Sequence, residues 1–396
     1  MKKISIHILA ACMAGCGSVL TACSDDHNDD QTSGLQIDIE GNSTTIRTFR
    51  SVRLTASANS ERLENIRWNI GDSLIGTTRS IDFIAPQATS YPLILTAERA
   101  DGTTATRRLT LTARNPEKPY AANIQNVLDY CPAPGQFVNQ MPEYTDGDTP
   151  EQMNGKALHA IQAGSTVTLG SYGGYIVCGF DHTVANLAGY DLRIEGNSFE
   201  GNSEPGIVSV AFDRNKNGRP DADEWYELAG SEHRKGLTTP GYTVTYNRPA
   251  ENHTPTPSPT DPFITDDTYI AWSDNKGKSG YLFRNQFHAN DYFPRWRTGN
   301  SLTLTGTLLP GNAVNTGTDE TPNWILSAFE YGYADNLPNA LSLFDIDNAI
   351  DQNGQPVKLP GIDFVRIQTG QLQYCGWSGN TSTDVSRIVD LHLTTK

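Results

Sequence analysis

The chain has 396 residues, with 45 acidic against 30 basic side chains and a formal net charge of -15. Phosphate binding needs clustered Lys and Arg, so this balance argues against nucleic acid or an anionic lipid surface as a partner. The length is enough for about two to three domains with a sizeable core, which excludes a small disulfide-stapled scaffold.

Met1-Lys2-Lys3 followed by the apolar run from Ile4 to Leu20 has the anatomy of a removable signal and is too short to span a bilayer as a helix. Leu20-Thr21-Ala22-Cys23 closes the run, so the sequence predicts removal of residues 1–22 and lipidation of Cys23. Leu9-Ala10-Ala11-Cys12 and Met13-Ala14-Gly15-Cys16 are weaker competitors, because cleavage there leaves a stunted apolar region. Cleavage as an ordinary secreted protein at a small-residue site is the alternative. Losing residues 1–22 removes two lysines and no acid, which takes the mature charge to -17. No later segment has the length or apolarity of a spanning helix, so a lipid anchor is the membrane contact expected. Residues 23–34, rich in Asp, Asn, Ser and Thr, read as a solvated tether.

From Leu35 the pattern changes to short alternating runs: Leu35 to Ile39, Val52 to Ala56, Ile66 to Ile70, Tyr91 to Thr96 and Ala105 to Ala113. Period-2 strands at this spacing predict a β-sandwich over residues 35–115. Asn115-Pro116-Glu117-Lys118-Pro119 marks its end, since two prolines cannot continue a central strand. Residues 120–396 then read as one larger β domain. Its expected strands include Ser165 to Leu169, Tyr175 to Phe180, Tyr190 to Glu195, Ile207 to Phe212, Glu224 to Leu228, Tyr242 to Tyr246, Tyr269 to Trp272, Leu302 to Thr307 and Phe364 to Thr369. Helix is expected at Asn123 to Leu128 and in a few short stretches. The Pro- and Thr-rich segment between Pro249 and Pro262 must be an exposed loop. The fold class expected is all-β.

Asp213-Arg214-Asn215-Lys216-Asn217-Gly218-Arg219-Pro220-Asp221-Ala222-Asp223-Glu224 fits the calcium-loop template D-x-[DN]-x-[DN]-G-x5-E. Asp213, Asn215, Asn217, the Arg219 carbonyl, Asp221 and Glu224 are the candidate ligands, with a plain polar turn as the alternative. Strand-like flanks make this a calcium-stapled hairpin with a structural role. Asp345-Ile346-Asp347-Asn348 with Asp351 matches no ligand template and reads as a turn. Three cysteines remain beyond the tether: Cys131 and Cys375, in turn-like contexts near opposite ends of one domain, are expected to pair in an oxidising compartment, and Cys178 is expected to be a buried apolar residue.

Nothing assembles a catalytic set. The eight histidines show no zinc spacing, and no Gly-x-Ser-x-Gly elbow is present, so no enzyme activity is expected. Aromatics instead crowd beside small polar residues: Trp225-Tyr226, Trp272-Ser273-Asp274-Asn275, Trp296, Tyr331-Gly332-Tyr333 and Trp377. Rigid rings beside amides and acids suit a large, partly apolar ligand, while core packing is the alternative for each ring taken singly.

Trp68-Asn69-Ile70-Gly71-Asp72 resembles the core strand of PKD-like immunoglobulin domains, which implies a spacer with no site. The runs Gly173-Gly174-Tyr175-Ile176-Val177, Glu204-Pro205-Gly206-Ile207-Val208, Asp223-Glu224-Trp225-Tyr226-Glu227-Leu228-Ala229-Gly230-Ser231-Glu232 and Gly376-Trp377 resemble Bacteroidetes cell-surface lipoproteins with a PKD-like domain in front. The acidic Ser24-Asp25-Asp26 after Cys23 resembles the surface-export signal of such lipoproteins, which implies display on the outer face of the cell outer membrane. The whole is similar to the BtuH class of vitamin B12-binding surface lipoproteins. The second domain is expected to be a larger, jelly-roll-like β-sandwich, and the resemblance implies a corrinoid as ligand and a TonB-dependent transporter as partner. A glycan-binding or adhesion module is the other reading.

Overall fold

The computed structural model describes residues 34–58, 62–318, 321–376 and 379–394. Cys23 and Trp377 therefore lie outside the described residues. Eight strands make the first module: β1 (Leu35–Ile39), β2 (Thr45–Arg47), β3 (Ser51–Ala58), β4 (Leu63–Ile70), β5 (Ser73–Gly76), β6 (Ser80–Ile84), β7 (Ser90–Arg99) and β8 (Thr104–Arg114). They form a three-stranded sheet β1-β3-β6 facing a five-stranded sheet β2-β8-β7-β4-β5. Alternation in β3 and β7 sends Val52, Leu54 and Ala56 from one sheet against Leu93, Leu95 and Ala97 from the other. Trp68 is fully buried among them and donates its indole N–H to the Thr78 carbonyl at 2.9 Å, which satisfies its one polar atom.

The second module begins with β9 (Asn126–Cys131) and α1 (Pro150–Gln162). The helix expected at Asn123 to Leu128 is thus a strand, because β9 pairs antiparallel along β11 and its alternation sets Tyr130 inward. Helix instead forms at α1, where Thr149 and Gln152 make a reciprocal capping box and Pro150 sits in the first turn. Met153, Ala157 and Ile161 line its buried side, and Asn154 caps the free edge of β9 through Tyr130 N–H (2.9 Å) and the Leu128 carbonyl (3.0 Å).

The remaining strands are β10 (Val167–Thr168), β11 (Tyr175–Ala185), β12 (Leu192–Glu195), β13 (Gly206–Ala211), β14 (Trp225–Leu228), β15 (Thr239–Asn247), β16 (Ile264–Asp274), β17 (Ser279–Asn285), β18 (Ser301–Leu308), β19 (Ala313–Asn315), β20 (Trp324–Leu326), β21 (Leu343–Phe344), β22 (Ala349–Ile350), β23 (Gly361–Thr369), β24 (Asp384–Val385) and β25 (Arg387–Asp390). A four-residue helix, α2 (Ser231–Arg234), follows β14. The central sheet runs β22-β14-β13-β23-β11-β9, all antiparallel. One of its faces carries Ile176, Cys178, Val208, Val210, Val365 and Ile367, packed against α1 and the sheet β21-β12-β25. Its other face is only partly covered, by the sheet β17-β16-β15-β18 with a core rich in tyrosine: Tyr172, Tyr242, Tyr246, Tyr269 and Tyr292. The protein is therefore all-β, two β-sandwich modules in series, with the larger built in three layers.

The two modules touch. Phe49 and Ile84 from the first pack with Ala185 and Phe212 of the second, and Arg50 donates to the Asp181 carbonyl at 2.6 Å. The 213–224 loop adds Lys216 to Glu40 and to the Ser51 carbonyl (3.0 Å), and receives Arg53 on the Arg214 carbonyl (3.3 Å).

All three described cysteines are buried free thiols, so the expected Cys131–Cys375 bridge does not form. Each sulfur is held in separate packing. Cys131 ends β9 among the tyrosines, while Cys375 Sγ contacts Thr381 Oγ1 at 3.8 Å. Burial pushes both thiols up to about 11. Cys178 is fully buried in the main core, as its apolar surroundings in sequence imply.

Candidate functional site

The uncovered part of the central sheet's outer face forms the floor of a groove of about 760 Å³. Pleating puts one row of side chains on that face in register: Glu227 opposite Ser209, Ser209 opposite Arg366, and Arg366 opposite Val177. Trp225, two residues before Glu227, shares the face, and its ring lies 5.0 Å from the Arg366 guanidinium. β18 forms one wall with Thr305, Gly306 and Thr307; the turn Asp351–Gly354 and the segment around Thr238 to Gly241 form the rim. Gly306 is what lets β18 approach, since a Cβ there would sit 2.2 Å from Gln368 Oε1.

The polar groups on the floor are unequally satisfied. Glu227 accepts from Thr307 Oγ1 at 2.8 and 2.9 Å and lies 3.2 Å from His233 Nε2. His233 Nδ1 is in turn 3.1 Å from the Tyr333 hydroxyl, so the ring is held at both nitrogens. Arg366 is different. Its Nε is enclosed and makes no hydrogen bond, and Nη2 reaches only Ser209 Oγ at 3.4 Å. Burial pulls its basicity below the usual guanidinium range, opposed by the Glu227 charge. A guanidinium with few protein acceptors, beside an indole face, has the chemistry to hydrogen-bond an acceptor oxygen in the groove.

The aromatics named from sequence divide. Trp225 and Tyr226 line the groove, although Tyr226 also packs on the core beneath. Tyr331 is exposed and lines a neighbouring cavity of about 680 Å³ that shares Ala229 with the groove. Tyr333 is buried between the two, its hydroxyl also accepting the Glu232 N–H at 2.9 Å. Trp272 is on the four-stranded sheet, laid across Gly280, and Trp296 is core, stacked between Tyr130 and Tyr144. Glu227, His233 and Arg366 were not visible as a set, because they sit on three elements, β14, α2 and β23, and Arg366 is far along the chain from the other two; the one local signal is a lone arginine inside the apolar strand Phe364 to Ile367.

The 213–224 loop is drawn in on itself. Asp213 accepts the N–H groups of Asn217 (3.0 Å) and Gly218 (2.8 Å), with Gly218 at φ 76° as the turn requires. Glu224 accepts from the Arg214 and Asp221 N–H groups, and Asp221 Oδ2 takes the side-chain amides of Asn215 (2.6 Å) and Asn217 (3.1 Å). Among the described residues no three His, Cys, Asp or Glu converge at ligand distance. The donor set is nevertheless all oxygen, with three carboxylates, and suits a hard cation once the two amides turn from Asp221. Asp345 and Asp351 accept backbone N–H groups within their own turns.

The chain matches no family model and no curated protein. Among solved structures it is similar to fibronectin(III)-like modules of Clostridium thermocellum CbhA, at 16% identity over 20% of this chain and 93% of that one, TM-score 0.17. It is also similar to carbohydrate-binding modules from the β-sandwich superfamily, at 10% identity over 90% and 95%, TM-score 0.18. The secreted serine protease VesC from Vibrio cholerae follows at 11% identity over 92% and 52%, TM-score 0.15. At such scores none of them assigns a ligand to the groove.

Proposed function

We propose that this is a lipid-anchored outer-membrane protein, fastened through Cys23 and facing the cell exterior, whose groove captures a corrinoid for a TonB-dependent transporter without converting it. The observation that carries the ligand-binding reading is Arg366, enclosed on the groove floor beneath Trp225 with its Nε lacking an acceptor. A corrinoid offers a broad ring for the indole and peripheral amide carbonyls and a phosphodiester for the fork. The groove volume lies within the usual range for ligand sites. Calcium, held by Asp213, Asn215, Asn217, the Arg219 carbonyl, Asp221 and Glu224, would stiffen the loop that docks on the first module.

The test is calorimetric titration with cyanocobalamin beside a panel of glycans. Saturable one-to-one binding of cyanocobalamin supports the reading; glycan binding with no cobalamin heat at micromolar protein replaces it with the glycan-binding alternative. Mass spectrometry of the native protein should find an acylated Cys23.

A further inference from the structure

Charge is unevenly shared between the two modules. Residues 35–114 hold ten arginines, no lysine and eight acids, whereas residues 115–396 hold 18 basic against 33 acidic side chains. Four of those arginines gather on the outer face of the sheet β2-β8-β7-β4-β5. Leu93 and Leu95 of β7 point into the core, so the alternate residues Ile94 and Thr96 face outward, and register places Arg108 opposite Ile94 and Arg67 opposite Thr96. Further along β8, Arg114 shares the face and lies directly opposite Arg47 of β2. All four are exposed, and among the described residues none has an ion-pair or hydrogen-bond partner for its guanidinium. The residues between them on this face of β8, Thr110 and Thr112, are short, so the guanidiniums stand proud. The acids on the face, Glu64 and Glu98, lie opposite each other at its far end and are engaged, Glu64 with Arg62 at 3.2 Å and Glu98 with the Asn65 amide at 2.6 Å. At the near end Arg47 shares a small cavity with Arg50 and Lys118, alongside Glu117 and Asp181.

We propose that this face rests on a membrane surface of anionic, phosphate-bearing headgroups, a reading that takes its setting from the anchor at Cys23. Like charges directly opposite one another destabilise a sheet, so Arg47 and Arg114 call for an anion from outside the chain. A guanidinium donates in a fork that matches phosphate. Arg108 and Arg114, six residues apart on one strand, stand about 20 Å from each other, a spread that suits a plane of many headgroups better than one small anion. The chain from Cys23 to Leu35 spans at most about 40 Å, against a sheet-to-sheet thickness of about 10 Å, so the face can reach the lipid. The charge of the whole chain argues against such a surface, but repulsion between exposed charges is screened beyond about 8 Å in physiological salt, and the acidic excess belongs to the other module. With the arginines against the headgroups, that excess turns the module bearing the groove toward the medium.

Co-sedimentation of the full mature chain carrying Cys23→Ser, so that no acyl chain can hold it, tests this with vesicles of phosphatidylcholine alone and of equimolar phosphatidylcholine and phosphatidylglycerol. The anionic vesicles should bind at least about tenfold more tightly than the neutral ones in low salt, and the difference should vanish in high salt. Arg67→Gln and Arg108→Gln should each weaken that binding about fivefold, and Arg387→Gln, at an exposed position of the second module, should not. No preference for the anionic vesicles, a preference that survives both substitutions together, or capture by heparin-agarose without vesicle binding would overturn the proposal. Should one arginine variant fail to fold by circular dichroism, the other and the salt dependence decide. Failure here leaves the anchor itself untouched, since mass spectrometry of Cys23 decides that separately.

Discussion

Arg366→Met separates recognition from stability. In the free protein the guanidinium gains little: one long contact to Ser209 at 3.4 Å, a ring 5.0 Å away, and an Nε with no partner. An enclosed donor left unsatisfied costs about 1–3 kcal/mol, so a methionine of similar length, which removes that donor and keeps the packing on Trp225, should leave stability unchanged or raise it by ~1 kcal/mol. Glu227 keeps Thr307 and His233 as partners and is not stranded. Toward a ligand the balance reverses. A charge-assisted hydrogen bond contributes about 1.5–3 kcal/mol, and each ~1.4 kcal/mol is tenfold in affinity, so cyanocobalamin should bind about 10- to 100-fold more weakly. Calorimetry gives the affinity and urea unfolding gives the stability. A dissociation constant within about threefold of wild type, or a stability loss above ~3 kcal/mol, would refute the assignment of Arg366 to the ligand and mark it as structural.

Calcium should raise the melting temperature of the wild-type chain relative to chelator, by about 2.7 kcal/mol of stabilisation at a hundredfold excess over the dissociation constant, and Glu224→Ala should abolish that increment in differential scanning calorimetry. The three buried thiols should resist Ellman's reagent in the folded state and all react in denaturant, with no change in melting temperature on adding reductant; a reductant-dependent shift would restore a disulfide. Burial raises Glu204 to about 8, Asp335 to about 7 and Asp363 to about 6, so the folded state holds these protons more tightly than the unfolded chain. Their stabilising effect is full below the ordinary carboxylate range and is lost as pH rises through those values, so stability should fall from pH 5 to pH 8; Glu204→Gln should flatten that fall, and an unchanged slope would contradict it.

The strands were legible because alternation survives wherever one face of a sheet meets a core: Leu35 to Ile39 is β1 to the residue, and Ile207 to Phe212 differs from β13 by one position at each end. Length was less so, as with β11, whose partners continue to Ala185 past a register shift after Gly179. α1 escaped because its apolar stripe is only Met153, Ala157 and Ile161, with Gly155 inside it, although Thr149-Pro150-Glu151-Gln152 spelled out its cap. At the groove, Trp225 and Tyr226 stood out by size and adjacency. Arg366 did not, because what marks it is the lack of a partner, and a missing hydrogen bond exists only in three dimensions. Trp296 misled for the same reason: rings beside polar residues look alike whether they stack on Tyr130 or face a ligand.

The groove takes its floor from the interior strands β13, β14 and β23 and its rim from the start of β15 at 238–241 and the turn at 351–354. Anchor and edge can therefore evolve separately: insertions at the rim would redraw which molecules are admitted while the guanidinium beneath stays fixed. Variation could be confined to these two rim segments, with no rearrangement of the floor strands that support them.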